Sequence, residues 1–278
     1  MTVSGVHGPV TYRPSLTRPE VALLAGWERA DRRWVTIGDV REGAGPVAAA
    51  RVASSLVRKG ALVRLRPGLY LTRPFRLLAR PSAIPAPIAL EALLHAEPHY
   101  FGGLWALTRN GLTEQQYVSR LDAFVARARR PAKVPRALVK FHVVPVDWLQ
   151  AGVVEVIIDR VRLRMSGPER TLVDLLDRPA MAGGLTGAVG LFRRALPQVS
   201  AGRLAEYASL VARTSTCQRI GLLLDRAGAP PAALRRLSAR TRGTRSLISL
   251  EPGPRTGRVN TRWSVVENDH GLVPPRSP

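Results

Sequence analysis

The succession of predicted elements in residues 17–73 constrains the fold more than any other feature of the sequence. A capping box that begins at Thr17 opens a first helix, which we expect to end near Asp31. The pattern then predicts a β segment at residues 34–37, a brief helix at residues 38–43, a longer helix at residues 46–59 and a β-hairpin at residues 61–72. Helix, strand, two helices and a hairpin, in this order, are typical of a winged helix-turn-helix.

The longer helix is predicted to have one apolar and one polar face. At 100° per residue, Arg51, Ser54, Ser55 and Arg58 share the polar face, opposite the alanine, leucine and valine side chains of the same helix. A winged helix inserts such a face into the major groove of DNA. The other interpretation is a surface helix whose polar side is solvated.

The hairpin that follows supports the DNA-binding interpretation. Arg64 and Arg66 alternate with apolar residues, so both project from one side of the predicted wing, where they can contact phosphates. The Pro67-Gly68 pair between the two strands favours a type II turn. The candidate residues for binding double-stranded DNA are Arg51, Ser54, Ser55, Arg58, Lys59, Arg64, Arg66 and Arg73.

The charge of the chain points to a polyanionic partner. Lys and Arg number 42 against 20 Asp and Glu, which gives a formal net charge of +22. Nearly all the basic residues are arginines, a bias that a GC-rich genome also produces, so the distribution of charge matters more than its total. Residues 51–80 hold eight basic residues and no acidic one. Residues 120–140 hold seven basic residues and one acidic residue, Asp122. Three interpretations of this stretch are open: a solvated strand edge, a second nucleic-acid contact or a docking face for an acidic partner.

Proline and glycine mark the predicted domain boundaries. Residues 1–16 are rich in Gly and Pro and read as a loose arm, and residues 74–87 contain four prolines that indicate a semi-rigid connector. Residues 88–278 show strand patterns first and helix patterns afterwards, which favours an α+β domain. We therefore expect an α+β protein, with a winged helix-turn-helix at residues 17–73 followed by a larger mixed α+β domain.

Several classes of protein and site are disfavoured. No apolar run approaches the ~18 to 20 residues needed to cross a bilayer, and the N-terminus does not resemble a secretory signal, so we expect a cytoplasmic protein. Cys217 is the one cysteine, which excludes internal disulfides and multi-thiolate zinc sites, and it is expected to be a buried small hydrophobe. His95 and His99 have the i,i+4 spacing of metal ligands, but Pro98 separates them and no other ligands complete a shell.

Catalysis is not predicted either. The sequence contains neither a phosphate-binding G-x-x-x-x-G-K-[ST] loop nor a G-x-S-x-G elbow. We expect no catalytic residues and no cofactor. Aromatic residues amount to 5%, which is low for a protein that binds single-stranded RNA by stacking.

Three segments of the second domain form a recognisable set. They are LWALTRNGLT at residues 104–113, SGPERTLVDLL at residues 166–176 with GGL at residues 183–185, and RIGLLLD at residues 219–225. Together with the preceding winged helix, they resemble the AbiEi-type antitoxins. The resemblance covers about residues 17–228, and its most specific element is S-x-P-E-R-T-L-x-D followed by Gly-Gly-Leu. The arm before residue 17 and the tail after about residue 243 lie outside it.

The resemblance implies a transcriptional regulator of a two-gene type IV toxin-antitoxin operon. Such a protein represses its own promoter, which contains inverted repeats, and counteracts a nucleotidyltransferase-like toxin, with or without stable contact. The family is also associated with abortive phage defence. The alternatives are a transcription factor without antitoxin activity and a DNA-binding module fused to an unrecognised enzymatic domain.

Within the most specific segment, the candidate residues are Glu169, Arg170 and Asp174. The carboxylate of Glu169 is placed to reach back to the backbone N–H of Ser166, and Arg170 and Asp174 form an i,i+4 pair. This structural account explains all three residues. The functional alternative is a surface that meets the toxin or its substrate.

Overall fold

The computed structural model describes residues 15–78, 84–117, 119–130, 132–134 and 136–268. Its contacts divide the chain into two compact units, Met1–Leu93 and Leu94–Pro278. The predicted arm falls outside the described residues except for Ser15 and Leu16, as do residues 79–83 of the predicted connector. Among the residues that are described, no helix is both long and apolar enough to cross a membrane.

The first unit contains helices and a small antiparallel sheet in the predicted order. The sheet has the strand order β1-β3-β2. The elements are α1 (Arg18–Arg29), β1 (Trp34–Thr36), α2 (Ile37–Ala44), α3 (Ala49–Arg58), β2 (Leu62–Arg66), β3 (Leu69–Thr72), α4 (Phe75–Leu78) and α5 (Ala86–Leu94). The helix predicted at residues 46–59 begins three residues later than expected, because residues 46–48 form a turn.

Two glycines allow the sharp turns of this unit. Gly45 has a φ of +81° between α2 and α3, and Gly68 has a φ of +76° in the hairpin, a value that the third position of a type II turn requires. The apolar face of α3, formed by Ala49, Ala53 and Leu56, is buried in the hydrophobic core of the unit. Because that face is buried, the opposite face of α3 is left toward solvent.

The second unit is built on a six-stranded mixed sheet with the order β6-β7-β5-β4-β9-β8. Its first elements are β4 (His99–Gly102), α6 (Gly103–Arg109), β5 (Arg120–Val125), β6 (Lys133–Val134), β7 (Ala137–Val143), β8 (Val153–Ile158) and β9 (Val161–Ser166). The chain continues with α7 (Pro168–Asp177), α8 (Leu185–Ala195), α9 (Ala201–Val211), α10 (Thr214–Arg226) and α11 (Pro231–Thr241). The predicted α+β class is confirmed.

A central strand of this sheet was not predicted. Strand β4 lies between β5 and β9, and all four of its residues are buried. A strand buried on both faces lacks the alternation of polar and apolar residues on which sequence reasoning depends. Helix α6 begins directly after it, at Gly103, with a φ of +65°.

The tail of the chain is part of the second unit. Strands β10 (Ile248–Ser249), β11 (Arg258–Asn260) and β12 (Val265–Glu267) form a three-stranded sheet. Trp263 is buried against Gly221 of α10, where an added Cβ would come within 2.2 Å of the indole ring, and its Nε1 donates to Asp225 at 2.8 Å. These contacts explain the glycine and the aspartate of the RIGLLLD segment as structural residues.

Cys217 is buried in the core of the second unit, as predicted. Burial raises the pKa of its thiol to about 11. The thiol is therefore protonated at neutral pH and behaves as a small hydrophobe.

Candidate nucleic-acid interface

Helix α3 presents an exposed stripe of four side chains. Arg51, Ser54 and Arg58 are exposed on α3, and Val47, in the turn before the helix, has 97% of its surface exposed. The spacing of three and four residues between Arg51, Ser54 and Arg58 is that of one helix face, and Val47 lies in the turn that leads into it. We call Val47, Arg51, Ser54 and Arg58 the α3 stripe. Sequence reasoning missed Val47 because it looked only for polar residues.

Two of the predicted DNA-binding residues, Ser55 and Lys59, lie outside the stripe and bind Glu20 of α1. The Ser55 hydroxyl donates to Glu20 Oε1 at 2.7 Å, and Lys59 Nζ lies 2.6 Å from Glu20 Oε2. Only 15% of the Lys59 side chain and 6% of the Glu20 side chain are exposed. From the sequence, Glu20 is predicted only to cap α1. Its contacts with Ser55 and Lys59, on the side of α3 that α1 covers, could not be predicted from that pattern.

Glu20 also caps its own helix, as the sequence predicted. Its Oε2 accepts hydrogen bonds from the Thr17 backbone N–H at 2.8 Å and from the Thr17 hydroxyl at 3.0 Å. Burial alone would raise the pKa of this carboxyl. The bonds from Lys59, Thr17 and Ser55 overcome that effect and lower the pKa from 4.5 to about 2.

We expect Glu20→Gln to destabilise the first unit by about 3 kcal/mol at neutral pH. The substitution removes a buried negative charge and leaves the Lys59 ammonium without its partner. Hydrogen exchange of peptides from α1 and α3, compared between the variant and the wild-type chain, measures the loss of protection. Glu42→Gln, at an exposed position of α2, is the matched control and should change the protection little.

The pH dependence has a definite sign. Because the folded-state pKa lies below the ordinary 4.5, the Glu20 carboxylate stabilises the fold above pH 4.5, and this contribution is lost as the pH falls toward 2. The difference in urea stability between wild type and Glu20→Gln should therefore shrink over that interval. A difference that stays constant down to pH 2.5 would contradict the role given to Glu20.

The β2–β3 hairpin, which the sequence predicts to be a wing and which we call the wing, carries Arg64 and Arg66 on β2, and both side chains are exposed. A bulge interrupts the pairing of β2 with β3 between these two residues, so that Arg64 lies opposite Tyr70 and Arg66 opposite Leu69. Because Leu69 and Tyr70 are consecutive residues of β3, the bulge breaks the regular alternation from which both arginines were predicted to project from one side. Arg73 follows β3 and is half-buried; its backbone N–H donates to Ala61 O at 3.0 Å, and its Nε is buried without a hydrogen-bond partner. Arg73 is thus less available to a ligand than the two arginines of β2.

Four exposed arginines of α3 and β2 take part in no ion pair of the described residues, unlike Arg32, which pairs with Asp39. Within residues 15–78 and 84–93, no ion pair involves Arg51, Arg58, Arg64 or Arg66. No acidic residue occurs between residues 43 and 90. Helix α3 packs directly against β2, so one compact unit holds both pairs of arginines. Four unpaired guanidinium groups produce a positive field that attracts phosphates.

The predicted motif residues of the second unit are buried. Arg170 has no exposed surface, and its Nε donates to Asp174 Oδ1 at 3.0 Å, which confirms the predicted i,i+4 pair. Its Nη1 donates to the backbone oxygens of Trp148 and Ala151 at 2.8 and 2.6 Å, and its Nη2 donates to the Tyr100 hydroxyl. The guanidinium therefore joins β4, α7 and the segment before β8.

The predicted cap by Glu169 is wrong. Helix α7 begins at Pro168 with Gly167 as its N-cap, and Glu169 Oε1 accepts from the Ser200 backbone N–H at 3.1 Å. Glu169 thus binds the N-cap residue of α9, 31 positions away. Only 7% of Glu169 and 1% of Asp174 is exposed, so the three motif residues offer almost no surface to a partner.

The second basic stretch, residues 120–140, is partly paired inside its own unit. Arg120 Nη2 lies 2.9 Å from Asp122 Oδ1, and Arg129 lies 2.8 Å from Glu97. The same Asp122 oxygen contacts His142 Nε2 at 2.7 Å. These contacts reduce the charge that this stretch can offer to a ligand.

The two candidate histidines lie on different elements. His95 follows α5, whereas His99 begins β4 and its Nδ1 lies 2.8 Å from the Glu97 backbone oxygen. The described part of the chain contains no group of three or more His, Cys, Asp or Glu placed to hold a metal ion.

Comparison with known proteins gives a likeness of fold. No protein-family model and no curated protein matches the chain. The crystal structure of the RV2827C protein from Mycobacterium tuberculosis is similar, with a TM-score of 0.64 and 20% sequence identity. The similarity covers 91% of this chain and 92% of that chain. At this identity, it establishes a shared α+β fold.

Proposed function

We propose that this chain is a cytoplasmic, sequence-specific DNA-binding antitoxin that represses its own operon and counteracts a cognate nucleotidyltransferase-like toxin. The observation that carries the DNA-binding half is the set of exposed, unpaired arginines on α3 and the wing. If these side chains had an intramolecular role, they would bind acidic or backbone groups of the protein. In the described part of the first unit, none of them makes such a contact. A duplex supplies such partners as phosphates and base edges.

The chemistry of the α3 stripe suits base reading. Arg51 and Arg58 can each donate two hydrogen bonds to a guanine, and Ser54 accepts or donates at either base type. Val47 is an apolar side chain exposed at the start of the stripe, and the apolar group in the major groove is the thymine methyl. Arg64 and Arg66 in the wing would contact phosphates, which position a protein on DNA without reading its sequence.

The antitoxin half rests on the resemblance of the three segments to AbiEi-type antitoxins. The burial of Glu169, Arg170 and Asp174 supports a structural role for the most specific segment, with toxin neutralisation by another surface. The same observation favours a second candidate, a transcription factor without antitoxin activity. The two candidates differ in whether the chain protects cells from a toxin.

We expect repression and protection to separate in the full-length chain. The double variant Arg51→Ala, Arg58→Ala should lose repression of its own promoter and keep protection, because the two substitutions affect only the exposed face of α3. The assay is growth of cells that carry the neighbouring gene as an inducible toxin, together with a promoter reporter. If the wild-type chain represses its promoter but does not protect the cells from the toxin, the second candidate, a transcription factor without antitoxin activity, is favoured. Loss of both activities in the double variant would contradict a division of labour between the units.

A further inference from the structure

We propose that the second unit carries a binding site for a phosphate group, separate from the α3 stripe and the wing. A cavity of about 480 Å³ opens where α10 begins and α11 ends. It is lined by Arg213, Arg240, the hydroxyl residues Thr214, Ser215, Thr244 and Ser246, and Gln218, whose amide nitrogen donates to backbone oxygens. None of the described residues that line it is acidic. Two guanidinium groups and four hydroxyls form a donor-rich lining that suits an anion.

The hydroxyl groups of the cavity are available for a ligand. Within the described residues, the side chains of Thr214, Ser215, Thr244 and Ser246 make no hydrogen bond. Arg213 occupies the N-cap of the 13-residue helix α10 without a side-chain cap bond. Among the described residues, the backbone N–H groups of Thr214 and Ser215 have no protein acceptor, whereas that of Thr216 donates to Arg213 O at 3.0 Å. The buried carboxylate of Asp177 accepts from the Arg213 backbone N–H and from the Thr216 hydroxyl, both at 2.9 Å. The positive end of the helix dipole adds to the charge of the two arginines.

The positive charge at the cavity exceeds the negative charge beside it. Arg213 Nε donates to Asp177 Oδ1 at 3.2 Å, but 63% of the Arg213 side chain stays exposed. The same carboxylate also pairs with Arg178 at 3.2 Å, so one negative charge is shared by two arginines. Arg240 is exposed and takes part in no ion pair of the described residues.

A third arginine lies near this cluster without lining the cavity. Arg219 follows Arg213 by six residues, and its Nε donates to Ser249 O at 3.1 Å. Burial, followed by the positive charge of Arg213, lowers the pKa of Arg219. The mutual repulsion of Arg213 and Arg219 is a cost that a bound anion would relieve. The sequence around the cavity is also basic, since residues 226–250 hold six arginines and no acidic residue.

The size of the cavity indicates a compact ligand. Its volume falls within the ~300 to 1,000 Å³ of pockets that hold small molecules. A phosphate with more than one negative charge fits both the volume and the donors, whether it belongs to a free nucleotide or to the phosphorylated end of a polynucleotide. This site does not depend on the proposed function.

The test is calorimetric titration of the full-length chain with inorganic pyrophosphate, with ATP, and with a short single-stranded oligonucleotide carrying either a 5′-phosphate or a 5′-hydroxyl. If ATP and pyrophosphate each bind when titrated alone, the site binds nucleotides. Binding of the 5′-phosphate oligonucleotide but not its 5′-hydroxyl form identifies a polynucleotide end. If none of the four probes binds, or if both oligonucleotides bind equally and ATP does not, the proposal is wrong.

Two variants and a control locate the binding. Arg240→Ala should weaken binding by about tenfold, and Ser215→Ala should weaken it by a smaller factor, because each removes a donor to the anion. Arg235→Ala removes another exposed arginine of α11 that does not line the cavity, and it should change the affinity by less than about twofold. Circular dichroism confirms that each variant is folded. Equal weakening by Arg240→Ala and Arg235→Ala would show diffuse charge attraction and overturn the site.

Discussion

Arg170→Ala is expected to lower the melting temperature of the second unit by about 10 °C, the largest stability effect that we predict for one substitution. The substitution leaves Asp174, with 1% of its surface exposed, as a buried carboxylate without its cation. It also frees the backbone oxygens of Trp148 and Ala151 from their donor. Breaking a buried ion pair from one side costs about 4 kcal/mol, because an uncompensated charge stays in the interior.

Thermal unfolding followed by circular dichroism measures this effect. Arg162→Ala is the matched control, because Arg162 is 71% exposed and pairs at 3.5 Å with the exposed Glu155. An exposed pair of this kind contributes less than about 1 kcal/mol. Arg170→Lys should rescue little, since one ammonium cannot reproduce the planar set of donors that reaches four different acceptors. Equal shifts for Arg170→Ala and Arg162→Ala would contradict the structural role of the motif.

The second large effect concerns DNA recognition. We expect the double variant Arg51→Ala, Arg58→Ala to lose about 100-fold in preference for its operator over random DNA, because each bidentate contact to a guanine contributes about 1–3 kcal/mol of discrimination. The double variant Arg64→Ala, Arg66→Ala should instead weaken all sequences alike. It should also reduce the slope of log affinity against log salt by about 2.

Fluorescence anisotropy with a labelled operator and a labelled random duplex separates the two effects. Arg29→Ala, at an exposed position of α1 outside the stripe and the wing, is the control for a general loss of positive charge. If both double variants lower operator and random-DNA affinity by the same factor, the assignment of base reading to α3 and of phosphate contact to the wing is wrong.

Much of this molecule follows from local patterns. The apolar positions of α3 recur with the helical period, so the buried face and the exposed Arg51, Ser54 and Arg58 could be predicted from the sequence. The Pro67-Gly68 turn was predictable for a similar reason, since only a glycine adopts the required φ without strain.

The differences arise where a partner lies far away in the sequence. Ser55 belongs to the polar face of α3 by period alone, but its hydroxyl donates to Glu20, 35 residues earlier, at 2.7 Å. Glu169 satisfies a local capping pattern, yet its carboxylate accepts from Ser200 instead. Strand β4 is buried on both faces, so its sequence shows no alternation of polar and apolar residues. Local periodicity specifies elements and faces, whereas the tertiary partners of polar residues depend on packing.

The central claim, that this chain recognises a specific DNA sequence, is tested most directly by the affinity of the full-length protein for its own upstream region and for a shuffled duplex of the same composition. Anisotropy titrations between about 50 and 200 mM salt measure both affinities and their salt dependence. We predict a preference of about 1,000-fold or more for the upstream region, and a steep loss of affinity for both duplexes as salt increases. Equal affinity for the two duplexes at every salt concentration would contradict the account.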